Sequence, residues 1–128
     1  MEPDTQIIAD PEQMKKVINN IISNSVKYMD KPQGEINIRI LDEVDSIRVE
    51  LEDNGKGIAQ KDLPKIFERF YRTDASRNSA QGGSGIGLSI VKKIIEDHGG
   101  YIWATSKEGE GTCMHFVIRK YKELQREA

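Results

Sequence analysis

Three groups of residues in this chain of 128 have the types and spacing to do chemistry. The first centres on Asp53. It continues the alternation of Ile47, Val49 and Leu51, so its carboxylate should leave a strand end on the same side as the apolar face. An acid so placed needs a hydrogen-bonding partner, because its desolvation is otherwise costly. It can also reject a wrong ligand by being left unpaired. Gly55 and Gly57 follow and would let the backbone approach a ligand closely, although two glycines after a strand also make an ordinary turn. The second group is Asn20, Asn24 and Lys27, which share one stripe of a helix at spacings of four and three. Such a stripe is commonly a solvated face. Asparagine is not favoured inside helices, however, so two of them one turn apart lean toward ligand contact. The third group is Gly83-Ser84-Gly85-Ile86-Gly87-Leu88 at the opening of a later helix, where backbone N–H groups make an anion site without side-chain charge. No Gly-Lys-Ser/Thr follows, so this is not a Walker loop, and the full strand–glycine–helix context of a dinucleotide fold is missing.

The elements that must position these groups follow from periodicity. Asp10-Pro11-Glu12-Gln13 reads as a helix start, with Asp10 as cap, Pro11 in the first position and Gln13 reaching back as in a capping box. Met14, Val17, Ile18, Ile21, Ile22 and Ser25 then follow the spacing of one buried face. After a turn at residues 30–34, Ile36, Ile38 and Ile40 alternate, as do Ile47, Val49 and Leu51, with the connection at 42–46. Residues 54–85 read as irregular, with a short helical stretch at 63–67 and a mobile polar run at 73–84. A second long helix from near Gly85 should turn Ile86, Ile90, Val91, Ile94 and Ile95 inward and stop at Gly99-Gly100. Strands at 101–105 and 112–119, joined by Glu108-Gly109-Glu110-Gly111, precede a charged tail.

The length suits one domain over residues 1–128, with a core at about 7–119 and a tail at 120–128. Hydrophobic residues at 37% under 31% charged residues are enough for an ordinary core. Nineteen basic against 21 acidic side chains argue against binding nucleic acid by bulk phosphate attraction. The one cysteine, Cys113, excludes an internal disulfide, offers no zinc cluster and fits a reducing cytosol. No apolar run nears membrane-spanning length, so no membrane contact by this domain is expected.

Four motifs stand in one order: Asn20-Ile21-Ile22-Ser23-Asn24-Ser25-Val26-Lys27-Tyr28, Asp53-Asn54-Gly55-Lys56-Gly57, Ile66-Phe67-Glu68-Arg69-Phe70-Tyr71-Arg72 and Gly83-Ser84-Gly85-Ile86-Gly87-Leu88. This set resembles the N box, first glycine box, F box and second glycine box of the histidine kinase catalytic domain, over residues 10–119. One box alone says little; four in order, with ordinary spacing, are specific. The resemblance implies an α/β fold, a two-layer sandwich of the Bergerat type. Its mixed sheet is covered on one face by helices, and ATP lies between the helix layer and a lid. The element order above is compatible with that fold without demanding it.

On this resemblance Asp53 accepts a hydrogen bond from the adenine amino group, and Gly55, Gly57, Ile58, Tyr28 and Thr112 belong to the nucleotide pocket. Asn24 is implied as the magnesium ligand, a neutral oxygen for a hard cation, with Asn20 supporting it or touching phosphate. Lys27 offsets phosphate charge. Gly83, Ser84, Gly85, Ile86, Gly87 and Leu88 meet phosphate at the helix start, Arg72 and Arg77 reach it from the lid, and Phe67 and Phe70 position the lid. Asn20, Asn24, Lys27 and Arg72 form the implied catalytic set. Gyrase, mismatch-repair and heat-shock chaperone ATPases of the wider superfamily keep a water-activating glutamate four residues before the magnesium asparagine. Asn20 stands there in this chain, which favours transfer to another acceptor over hydrolysis.

The implied activity is transfer of the ATP γ-phosphoryl group to a histidine on a separate dimerisation helix domain, with a response regulator receiver domain downstream. His98 and His115 lack the acidic and proline-containing context of such an acceptor and read as structural. The implied setting is the cytoplasm, at the cytosolic end of a membrane-anchored receptor, with the domain by itself a monomer. Two other readings stay open: a non-catalytic nucleotide-binding module that docks on a partner helix, and a serine kinase of the anti-sigma type. The F box and extended lid count against the latter.

Overall fold

In the computed structural model, which describes residues 5–68 and 87–121, helix α1 (Pro11–Lys27) starts where Asp10 caps it. Asp10 Oδ1 accepts the N–H groups of Glu12 (2.9 Å) and Gln13 (3.3 Å), and Pro11 sits where no N–H is needed. The return bond expected from Gln13 is not made; the Asp10 N–H donates instead to His98 Nε2 at 3.1 Å. Val17, Ile21 and Ser25 form the buried stripe, with Met14, Ile18 and Ile22 packed partly against it.

Strands β1 (Ile36–Asp42) and β2 (Ser46–Asp53) form one hairpin, and β3 (Tyr101–Lys107) and β4 (Gly111–Arg119) form another. Between them come a helical turn at Leu63–Lys65 and helix α2 (Gly87–Asp97). The sheet order is β1-β2-β4-β3, and every described pairing is antiparallel. The parallel pair of the expected mixed sheet is therefore not found among the described residues. The long crossover after β2 lays β3 beyond β4 rather than beside β2.

Register sorts the side chains into rows. Toward the helices, Ile38, Leu51, Met114 and Ala104 stand opposite one another, and Ile40, Val49, Phe116 and Ile102 form the next row. Val17 and Ile21 of α1 and Val91, Ile94 and Ile95 of α2 pack on these rows and complete the core. The helices lie over β2, β4 and β3, so Ile38 and Ile40 on the edge strand remain 53% exposed each. Ile90, expected inward, is 40% exposed. Val91, Ile94 and Ile95 set the buried face of α2, and Ile90 is turned about 100° from Val91.

The face away from the helices is polar and aromatic. Its rows are Asn37, Glu52, Cys113 and Thr105, then Arg39, Glu50, His115 and Trp103. Arg39 bridges Glu50 and Glu52 at 3.1 Å each, Glu50 Oε2 meets His115 Nδ1 at 2.7 Å, and the Trp103 and His115 rings stack at 4.9 Å. No helix of the described residues is long and apolar enough to cross a membrane.

Candidate functional site

Where the helix-facing rows reach the strand ends, hydrocarbon gives way to polar groups. Asp53 stands opposite Ile36, and Ser106 stands opposite Thr112. Asp53 Oδ1 accepts two backbone N–H groups, from Gly55 at 2.9 Å and Thr112 at 3.2 Å. Its Oδ2 has no partner among the described residues, so one carboxylate oxygen is anchored and the other is open to a ligand donor. Ser106 Oγ donates to the Gly111 carbonyl at 2.8 Å and accepts the Ile58 N–H at 2.8 Å. With that hydrogen committed, Thr112 is the donor in the 2.8 Å contact between the two hydroxyls. Ser106 was not singled out from the sequence, although the alternation of Ile102, Ala104 and Ser106 would have placed it on this face.

The loop after β2 is pressed between the end of α1 and the β3–β4 hairpin. Lys56 donates its N–H to the Tyr28 carbonyl at 3.1 Å, and Gly109 donates to the Lys56 carbonyl at 2.8 Å. A Cβ on Gly55 would come within 2.8 Å of the Tyr28 oxygen, and Gly57 has φ of 76°, where an L side chain is strained. Gly57 would also drive a Cβ into the Lys107 carbonyl. These glycines are therefore required where the loop backbone approaches the Tyr28 and Lys107 carbonyls, protein groups rather than a ligand. Asn54 is structural: its side chain accepts the Glu35 N–H at 2.8 Å and donates to the Gln33 carbonyl at 3.1 Å.

Tyr28 ends α1, with its N–H on the Asn24 carbonyl at 3.3 Å. The ammonium groups of Lys56 and Lys27 lie 5.2 and 5.8 Å from its ring centre. The structure thus brings together Lys27, Tyr28, Asp53, Gly55, Gly57, Ile58 and Thr112. Asn20 and Asn24 lie half-buried on α1, and neither carboxamide has a hydrogen-bond partner among the described residues. Leu88, Ile58 and Phe67 are partly buried and pack against the core. Gly87 begins α2 as described. Phe70, Arg72, Arg77, Gly83, Ser84, Gly85 and Ile86, and with them the expected lid, lie outside the described residues.

His98 and His115 are both built into the scaffold. His98 Nδ1 is 2.7 Å from the Ile94 carbonyl, and its other nitrogen receives the Asp10 N–H. It therefore ties the C-terminus of α2 to the start of α1.

Residues 9–122 match the family described as histidine kinase-, DNA gyrase B-, and HSP90-like ATPase. The chain is 41% identical over 125 residues to the sensor histidine kinase WalK of Bacillus subtilis (strain 168), covering 95% of this chain and 20% of that relative. The solved mycobacterial sensor histidine kinase MprB superposes with a TM-score of 0.79 at 28% identity, over 91% of this chain and 78% of that one. ShkA, solved full length in complex with AMPPNP, superposes with a TM-score of 0.76 at 25% identity, over 95% of this chain and 25% of that one.

Proposed function

The chain belongs to the histidine kinase-, DNA gyrase B-, and HSP90-like ATPase family as an ATP-binding domain of the sensor histidine kinase type, and from that premise we propose that it passes the γ-phosphoryl group of ATP to a histidine on a helical domain outside this sequence. The observation that carries the nucleotide part is Asp53. One oxygen is tied by two backbone N–H groups, and the other is free to accept the adenine amino hydrogen. A base offering a carbonyl there would set two acceptors against each other and be rejected. Tyr28, Gly55, Gly57, Ile58, Leu88 and Thr112 supply the walls of the pocket. The AMPPNP complex of ShkA supports the same ligand class for this chain.

Asn24, with Asn20 beside it, offers neutral oxygens of the kind magnesium takes, without a partner among the described residues. Magnesium held there would offset the phosphate charge. Lys27 adds a cation from the last turn of α1. Gly87, with Gly83, Ser84, Gly85 and Ile86, gives backbone N–H groups to phosphate, and Arg72 and Arg77 complete the anion contacts. With Asn20 where hydrolytic relatives keep glutamate, no side chain at that position activates water, so transfer to histidine outruns hydrolysis. The phosphoryl group then passes to a receiver domain, and the whole operates at the cytoplasmic end of a membrane-anchored receptor.

Calorimetric titration with AMPPNP, with and without magnesium, tests the site. Magnesium-dependent binding that Asp53→Asn weakens is expected, and no binding by folded protein would overturn the reading. Labelled ATP supplied with a histidine-bearing helical domain tests the transfer. Acid-labile label on that domain is expected; acid-stable label on serine would make the chain a serine kinase instead.

A further inference from the structure

On the sheet face away from the helices, β4 places Cys113 and His115 two residues apart and so side by side, and the register sets Glu50 of β2 opposite His115. A thiol, an imidazole nitrogen and a carboxylate oxygen thereby lie within 4.8 Å of one another. The side chains of His115 and Glu50 are only 13% and 11% exposed, and Cys113 is buried. Ligand atoms around a tetrahedral zinc ion sit roughly 3.5 Å apart, given bond lengths of about 2.0–2.3 Å. Side-chain rotations on the order of 1 Å therefore close the set.

We propose that Glu50, Cys113 and His115 bind a divalent ion of the zinc class through carboxylate oxygen, thiolate sulfur and imidazole nitrogen, with water in the fourth position. A mixed sulfur, nitrogen and oxygen set selects zinc or cobalt over magnesium and calcium, which take oxygen alone. The site uses none of the nucleotide-pocket side chains, because these residues alternate onto the opposite face.

Three features support the site. Thr105 Oγ1 lies 2.9 Å from His115 Nε2, and the Trp103 ring stacks on the imidazole within 4° of parallel, so the ring is oriented for ligation through Nδ1. Arg39 and Arg48 now contact Glu50 at 3.1 and 3.6 Å, and each has another carboxylate, Glu52 at 3.1 Å and Glu43 at 3.8 Å. Turning Glu50 toward an ion thus leaves neither guanidinium without a counter-charge. A cavity of about 530 Å³ reaches Cys113 of the three ligands, with Asn37, Glu52 and Thr105, and also Asp53, Ser106 and Thr112, in its walls. The Cys113 thiol is protonated at neutral pH, so ligation forms a metal–sulfur bond and releases that proton to solvent, while the His115 Nδ1 proton that now faces Glu50 is replaced by one on Nε2, which Thr105 Oγ1 accepts.

The test is titration of the chain with Co2+ in excess magnesium. One equivalent should bind with a thiolate-to-cobalt charge-transfer band, quench the fluorescence of Trp103, the one tryptophan of the chain, and release one proton. Zn2+ should displace the cobalt and raise Tm. Cys113→Ser should abolish the charge-transfer band, and His115→Gln should weaken binding by more than about tenfold, with circular dichroism reporting that each variant is folded. The proton release and the band are read on the unsubstituted chain and hold as tests even if a variant fails to fold. A folded chain that shows no thiolate band, or releases no proton, overturns the proposal. So does binding that both substitutions leave unchanged.

Discussion

Toward the helices the sheet presents Leu51, Met114, Val49 and Phe116, and the polar residues Asp53, Ser106 and Thr112 cluster at one end. Away from the helices it presents Arg39, Glu50, His115 and Trp103 across the middle of the same strands. Polar atoms on the two faces are satisfied in different ways. At the inner end they are held chiefly by backbone groups, as with the Gly55 and Thr112 N–H groups on Asp53. On the outer face they pair with one another through side chains. A group fixed by backbone can keep a second atom free and aimed, which is what selective ligand binding needs. A group fixed by neighbouring side chains can re-pair when one neighbour changes.

The inner face should break first. Leu51 is fully buried between the helices and the sheet, so Leu51→Ala should cost about 2–5 kcal/mol in urea denaturation. Next comes Asp53→Asn. Asparagine keeps an oxygen for the Gly55 and Thr112 N–H groups but turns a donor toward the adenine amino group. AMPPNP affinity should fall by about 1–3 kcal/mol, roughly five- to 150-fold, while the urea midpoint moves little. A large loss of stability with unchanged affinity would assign Asp53 to the fold alone.

The outer face should show itself through pH. Burial raises the Glu50 carboxyl, but hydrogen bonds from Arg39 and His115 outweigh it, and the net effect holds Glu50 below the ordinary glutamate value. Its contribution is therefore fully present above the unfolded value, about pH 4.3, and is lost as pH falls through the lower folded value. In the presence of a chelator, the stability gap between the unsubstituted chain and Glu50→Gln should shrink steadily with acidification across that window. A gap that stays constant to strongly acidic pH would remove Glu50 from the network.

The sequence made local chemistry legible because its causes are local. The Asp10 cap, the glycines of the loop after β2 and the side of the strand taken by Asp53 each depend on a few neighbours. What it hid were meetings of distant segments. The Asp10 N–H is taken by His98, 88 residues away, so a four-residue capping pattern could not reveal that Gln13 leaves it unclaimed. Glu50 meets His115 across 65 residues, which is why one cysteine without zinc-like spacing gave no sign of a three-ligand cluster. Ser106 was recoverable, since extending the β3 alternation by one step reaches it.

The alternation of β1 was equally legible, yet it could not say whether anything lies over it, and this yields the smallest predicted effect. Ile38 and Leu51 are direct cross-strand partners on the same face, separated by one strand spacing of about 4.8 Å. Leu51 is under the helices at 1% exposure and Ile38 is at 53%. If coverage by the helices decides the energetics, Ile38→Thr should change stability by no more than about 0.5 kcal/mol. Threonine keeps the branched shape that suits a strand and exchanges a half-wetted ethyl group for a hydroxyl. Leu51→Thr, one strand away, should cost several times as much, because its hydroxyl enters the core without a partner. Paired urea titrations of the two variants read the ratio directly. Near-equal losses would mean that β1 is covered in solution, and the helix-facing side would then be buried from edge to edge.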